Sequence, residues 1–404
     1  MPIALPFGLT LSPLLGGALL IVPVLLLVIA NRLLHNQAAL SSRVALAQKL
    51  GWGIKETQKK VVQAITKLPD PSPVQNFDLK TARTRDHIYV NKTLRYPYNQ
   101  TMAHQPMHID NWIEIDYNYE RDLRQKKEVI DEHGSKVLTS LPENDAAAGE
   151  LLETLIDYLP KRYPTLFEKI PGGIWNKVTD ERFPEADSLV GTPALMVISR
   201  LVQDDFLMGR EREDGHVYFV GGVVAHPGFY DFSQKINKSL EEVHLHVPQF
   251  NEKILKSVER TLKRFEAHQP FERSSWEMVD DYNLYHHNIA DLHEGGHLPD
   301  DLHPKDYYFR IDHQTFRKMP KSRGMIFGVH PILRRLEEFA DLPLVPQLLA
   351  TIHEQSSEDL MKYKLAPVYQ DKMLPYLREL TQSQIDRGLI KGDEEVADFR
   401  DLVK

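Results

Sequence analysis

The sequence predicts an α+β protein: a mostly antiparallel sheet with surrounding helices, preceded by one N-terminal transmembrane helix. Three observations lead there. Short runs rich in β-branched and aromatic residues read as strands. Other segments carry apolar residues at helical spacing. From Met1 to Asn31 there is no Asp, Glu, Lys or Arg.

That charge-free stretch comes first. "SPLLGGALLIVPVLLLVIA" is long enough for a bilayer span, which takes roughly 20 apolar residues, and membrane helices tolerate a proline such as Pro23. An anchor is favoured over a cleaved signal peptide. There is no basic n-region, and the "ALA" at 45–47 lies beyond Arg32 and Arg43. Residues 32–60 carry Arg32, Arg43, Lys49, Lys55, Lys59 and Lys60 against Glu56 alone. A basic flank stays on the cytoplasmic side. The expectation is a single-pass protein of the endoplasmic reticulum membrane with its large domain in the cytosol. Residues 1–35 form the anchor, 36–75 a helical stalk and proline-rich linker ("LPDPSPV" at 68–74), and 76–404 the folded domain.

Within that domain "AGELLETLIDYLPKRYP" reads as a helix that Pro160 stops, with Leu151, Leu152, Leu155, Ile156 and Leu159 on one face. "ALMVISRLV" (194–202) and "VYFVGGVVA" (217–225) read as strands. "NEKILKSVERTLKRFEA" (251–267) returns to helical spacing. "DYYFRIDHQTFRKM" and "GMIFGVHPIL" are two more strands joined by "PKSR", and after residue 332 the pattern is helical to the end. "YHHNIADLHEGGHLPDDLHP" (285–304) holds five histidines without a zinc-site spacing, and reads as a solvated insertion rather than a metal loop.

Composition narrows the chemistry. A net charge of −8 argues against nucleic acid, whose binders carry a basic field. No cysteine is present, which excludes disulfides, iron–sulfur clusters, a thiolate-ligated haem and a cysteine nucleophile. GxSxG, GxxxxGK[ST] and GxGxxG are all absent. Asp204-Asp205 and Asp280-Asp281 are adjacent pairs, which point to opposite faces of a strand. A histidine-bound cofactor remains. In "EEVHLHVPQF" (241–250) His244 and His246 would share one face of a strand, in an apolar setting restrained by Pro248. A single histidine in a strand is also often a structural residue, so the spacing alone leaves both readings open. In "RIDHQTFRKMPKS" a strand would place Arg310, Asp312, Gln314 and Phe316 on one face, with His313 and Thr315 on the other. Such a polar row needs partners or a ligand if buried.

Several ordered blocks then resemble one family. They are "RYPYNQTMAHQPMHIDNWIEIDYNY", "YLPKRYPTLF", "LVQDDF", "VAHPGFYDFSQKINKSLEEVHLHVPQF", "RSSWEMVDD" and "RIDHQTFRKMPKSRGMIFGV". From about residue 92 to 380 the chain resembles the haem-dependent oxidative N-demethylase alpha-subunit-like family, in particular its fungal membrane-anchored members. The resemblance implies a PAS-like fold binding haem b. It implies oxidative demethylation of an amine or other small organic substrate, using dioxygen and electrons from a separate reductase or ferredoxin-like protein. By position it makes His244 the iron ligand and Arg310, Thr315 and Trp276 further cofactor contacts; His246, two residues from His244 on the same expected face, is added as a cofactor contact from the residues themselves. Arg310, Asp205, Asp312 and Gln314 become the catalytic set, with Arg310 offsetting negative charge on the cofactor or on bound oxygen. His246 stands where the family has proline, Asp312-His313 replaces a Glu-Arg pair, and Ser275 replaces the Asn before Trp276. A non-catalytic haem sensor or carrier, and a haem-free membrane-tethered interaction protein, are the alternatives.

Overall fold

A computed structural model of the chain describes residues 68–83, 93–99, 101–185, 189–287, 289 and 298–398. The expected anchor and stalk lie outside these residues. Among the described residues no helix is long and apolar enough to cross a membrane.

Ten strands are described: β1 (Gln105–Pro106), β2 (Leu138–Ser140), β3 (Phe167–Ile170), β4 (Gly173–Asn176), β5 (Glu181–Pro184), β6 (Asp205–Glu211), β7 (Val217–Val223), β8 (Phe271–Val279), β9 (Tyr308–Lys318) and β10 (Met325–Arg335). Seven form one sheet in the order β1-β8-β9-β10-β6-β7-β2, and β3-β4-β5 form a small second sheet. Every pairing between the described strands is antiparallel, as expected for the α+β class. The long β9–β10 hairpin runs in register from Tyr308↔Arg335 to Lys318↔Met325.

Helices α1 (Tyr119–His133), α2 (Asp145–Arg162) and α3 (Gly191–Ser199) pack with Phe206, Met208 and Ile326 into one core. Helices α6 (Val345–Gln355), α7 (Glu358–Tyr363) and α8 (Ala366–Asp386) pack with Trp276, Phe309 and Ile311 into a second. A third core joins Phe271, Phe316 and Met325 to the short helix α4 (Leu240–Val243) and the amphipathic helix α5 (Leu255–Arg264), which buries Val258 and Leu262. Alternation along β9 separates these layers. Phe309 and Ile311 face the second core, while Phe316 faces the third.

Four expectations are corrected. Residues 194–202 are not a strand: α3 occupies 191–199. A nine-residue apolar run buried on most sides reads alike as strand or helix. Pro160 does not stop its helix but lies in the last turn of α2, which ends at Arg162. A proline there deletes a single late hydrogen bond. Strand β10 continues to Arg335, three residues beyond the expected switch to helix. Residues 241–250 are not a strand either. Ser239 opens α4 with a capping box: its Oγ accepts from the Glu242 N–H, and Glu242 Oε2 accepts from the Ser239 N–H at 2.7 Å. His244 then caps the helix, and the chain turns.

The proline-rich 68–74 stretch is fastened to the body. The Val74 N–H donates to the Arg162 carbonyl (2.8 Å) and Arg162 Nη1 to that of Ser72 (2.6 Å).

Candidate functional site

A cavity of about 470 Å³ lies between the β8–β9 face and the α4–α5 layer, within the usual range of about 300–1,000 Å³ for small-molecule sites. The sheet supplies its floor. Arg273, Ser275 and Glu277 of β8 stand directly opposite Gln314, Asp312 and Arg310 of β9, so one face carries a dense polar row. Gln314 Nε2 donates to Ser275 Oγ at 3.0 Å. Arg310 Nε donates to Asp312 Oδ1 at 2.9 Å. Aromatic side chains cover the cavity, with Phe229, Tyr230, Phe250, Phe265 and Tyr363 in the lining and Phe219 added from β7.

His244 lines the cavity at the C-terminal end of α4. Its Nδ1 lies 2.7 Å from the Leu240 carbonyl, and its ring stacks on Phe250 with centroids 3.9 Å apart. A carbonyl only accepts, so Nδ1 carries the proton. Burial, aided by Lys235, His246 and Arg273 nearby, lowers the pKa to about 4 against the pull of the Leu240 carbonyl. The imidazole is therefore neutral at pH 7, and Nε2 keeps its lone pair.

The cavity is cationic although the chain is acidic. Arg95, Lys235, Arg273, Lys362 and Lys364 line it against two carboxylates, Glu277 and Asp312. Each carboxylate is already matched, Glu277 by Lys364 at 3.0 Å and Asp312 by Arg310. Arg273 and Lys235 have no carboxylate in ion-pair range among the described residues. Arg273 Nε is buried without an acceptor, and burial lowers its pKa. Lys235 Nζ lies 4.3 Å over the Tyr230 ring. Burial, with Lys238 beside it, brings its pKa down to about 8.

The sequence-derived residues divide. His244, His246, Asp312, Gln314 and Trp276 lie on the cavity wall. His246 is exposed, and its ring is 6.3 Å from that of Tyr363. The turn splays the two histidines that a strand would have aligned. Trp276 stacks on Phe309 at 5.4 Å and belongs to the second core. Arg310 backs the wall, its Nη2 donating to the His226 carbonyl at 2.7 Å. Asp205 is away from the cavity. It is fully buried, 3.1 Å from Lys126 Nζ, and accepts the His226 N–H at 2.6 Å. Thr315 is turned away as well, its hydroxyl filling the space that Gly328 leaves by lacking a Cβ.

Sequence reasoning missed Arg273, Lys235 and His287. Arg273 was within reach, since period-two alternation from Phe271 places it on the face of Ser275 and Glu277. Nothing local marks Lys235. His287 departs from the solvated reading of its segment, in which Asp300, Asp301 and His303 are exposed. His287 is fully buried, and its Nε2 is 3.1 Å from Arg310 Nη1. His293 and His297 lie outside the described residues. Among the described residues no group of three or more His, Asp or Glu could hold a bare metal ion. A haem asks for less: one neutral imidazole, an apolar slot and cations for its carboxylates. The residues present fit it.

Fold and cavity thus define an α+β protein with a neutral, backbone-anchored imidazole in an aromatic, cation-rich slot. The chain belongs to the family described as haem-dependent oxidative N-demethylase, alpha subunit-like, whose model matches residues 103–374.

Proposed function

We propose that the protein is a haem b-dependent oxidoreductase that demethylates an N-methyl amine. The observation that carries this is His244, neutral and with its Nδ1 proton committed to the Leu240 carbonyl. That arrangement orients a metal-ligating histidine and raises the basicity of the other nitrogen. His244 Nε2 would be the axial ligand. Arg273 and Lys235 would meet the two carboxylates of the porphyrin. Covalent attachment through thioethers has no cysteine to use, which favours haem b. The order β7-β6-β10-β9-β8 of the five central strands, with α4 and α5 between β7 and β8, supports the PAS-like reading.

When bound, the haem would activate dioxygen with two electrons from a separate reductase. In the net reaction an N-methyl amine, dioxygen, two electrons and two protons give the demethylated amine, formaldehyde and water. The chain's own residues do the rest. Asp312, held by Arg310, would take the substrate ammonium and accept its proton. The aromatic roof would exclude water, and His246 would stand at the exposed rim. Residues 1–35 would tether the enzyme to a membrane.

The test is turnover of the haem-loaded chain with a reductase and an N-methyl amine. Formaldehyde should appear with oxygen use, and Asp312→Asn should cut it by about a hundredfold. A haem-loaded protein that is reduced but releases no formaldehyde from any N-methyl amine would be a sensor or carrier instead.

A further inference from the structure

His287 is fully buried at the end of the polar row and has no part in the chemistry above. Its Nδ1 lies 2.8 Å from Asp281 Oδ1 and its Nε2 3.1 Å from Arg310 Nη1. A guanidinium only donates. Nε2 is therefore the acceptor, Nδ1–H donates to Asp281, and the ring is neutral. The same guanidinium donates Nε–H to Asp312 Oδ1. Asp312 Oδ2 has no hydrogen bond among the described residues, and the side chain lines the cavity. Gly228, at φ +72, lets the chain pass close over Arg310; a Cβ there would lie 2.4 Å from Nη1.

We propose that His287 is the positioning residue of a subsite for a cationic group: it holds Arg310, which holds Asp312 with Oδ2 offered to an N–H of an ammonium in the cavity. This rests on the reading of the cavity as an amine site. Protonating Nε2 would set two cations 3.1 Å apart and break the hold on Arg310. The charged groups facing the ring are Asp281 from the turn after β8, and Arg310 and Asp312 from β9. The Phe229 ring lies 5.6 Å from the imidazole, and the Gly228 carbonyl accepts the His287 backbone N–H. Burial, joined by Arg310, lowers the pKa of His287 against the pull of Asp281. The subsite therefore stays formed at neutral pH and is lost in acid.

Two measurements on the full-length chain decide it. Two-bond proton–nitrogen NMR of labelled histidine, assigned with His287→Gln, should show His287 protonated on Nδ1 alone at neutral pH. A proton on Nε2 overturns the proposal. Calorimetry with N-methylbutylammonium as probe should show affinity falling as the pH is lowered from ~7.5 through the acid side of the ordinary histidine range. In His287→Gln the amide oxygen accepts from Arg310 without titrating. That variant should bind within about threefold of wild type at the higher pH and lose the pH dependence. Gly228→Ala, which displaces Arg310, should weaken binding about tenfold at every pH. A His287→Gln variant that keeps the wild-type pH profile overturns the proposal. If the wild type binds no ammonium, the amine reading of the cavity falls, and the tautomer still decides whether His287 holds Arg310.

Discussion

Lys126 carries its ammonium into the centre of the molecule, where it is fully buried. It pairs with Asp205 at 3.1 Å and donates to the carbonyls of Gln203 (3.0 Å) and Asp204 (2.6 Å). Burial raises the pKa of Asp205, and Lys126 pulls it back. Removing one partner leaves an uncompensated buried charge, so Lys126→Met should cost about 3–5 kcal/mol of stability, read from urea unfolding. A loss below about 1 kcal/mol would show that water reaches the pair. Nearby, burial opposes the charge on His330, but Asp204 at 3.4 Å outweighs it and raises the pKa to about 9. The folded value lies above the unfolded one. The contribution is complete below pH ~6.5 and is lost as pH rises through about 9. His330→Gln should flatten the fall in urea midpoint over that window, and an unchanged slope would refute the pairing.

At the scale of elements, the short helix α4 matters more than its four residues suggest. Its capping box sets the Leu240 carbonyl that receives His244 Nδ1–H. Ser239→Ala should cost about 1 kcal/mol and should also speed loss of bound haem to a scavenger. Stability loss with unchanged haem retention would separate the cap from the ligand. This signal was legible, because Ser239-Leu-Glu-Glu242 is the S-x-x-E pattern; the alternating histidines drew the reading to a strand instead. Strands β9 and β10 and helices α2 and α5 followed from periodicity, since each has one apolar face and one polar or differently packed face. Helix α3 did not, because its exposed face carries Thr192, Pro193 and the apolar Met196 rather than charged residues, so no charged stripe sets a period.

At the scale of the whole molecule, the α+β class and the polar row on β9 were readable because both depend on local alternation. The completed cavity was not. Arg310 meets His287 from 23 residues upstream and the carbonyl of His226 from 84, and no local pattern encodes those meetings. Asp205 and Thr315 show the converse. Their residue types suit catalysis or ligand contact, yet the fold buries Asp205 beside Lys126 and turns Thr315 toward Gly328. What unites the molecule is one cavity that gathers residues from β8, β9, α4 and the loop before α8 around a neutral imidazole. The central claim is that His244 ligates a haem there. The visible spectrum of the full-length chain, purified from cells supplied with haem precursor and set beside His244→Ala, tests it most directly. The account predicts a Soret band in the wild type that is lost or shifted in the variant. A folded, haem-supplied protein without a Soret band, or a variant whose band is unchanged, would contradict it.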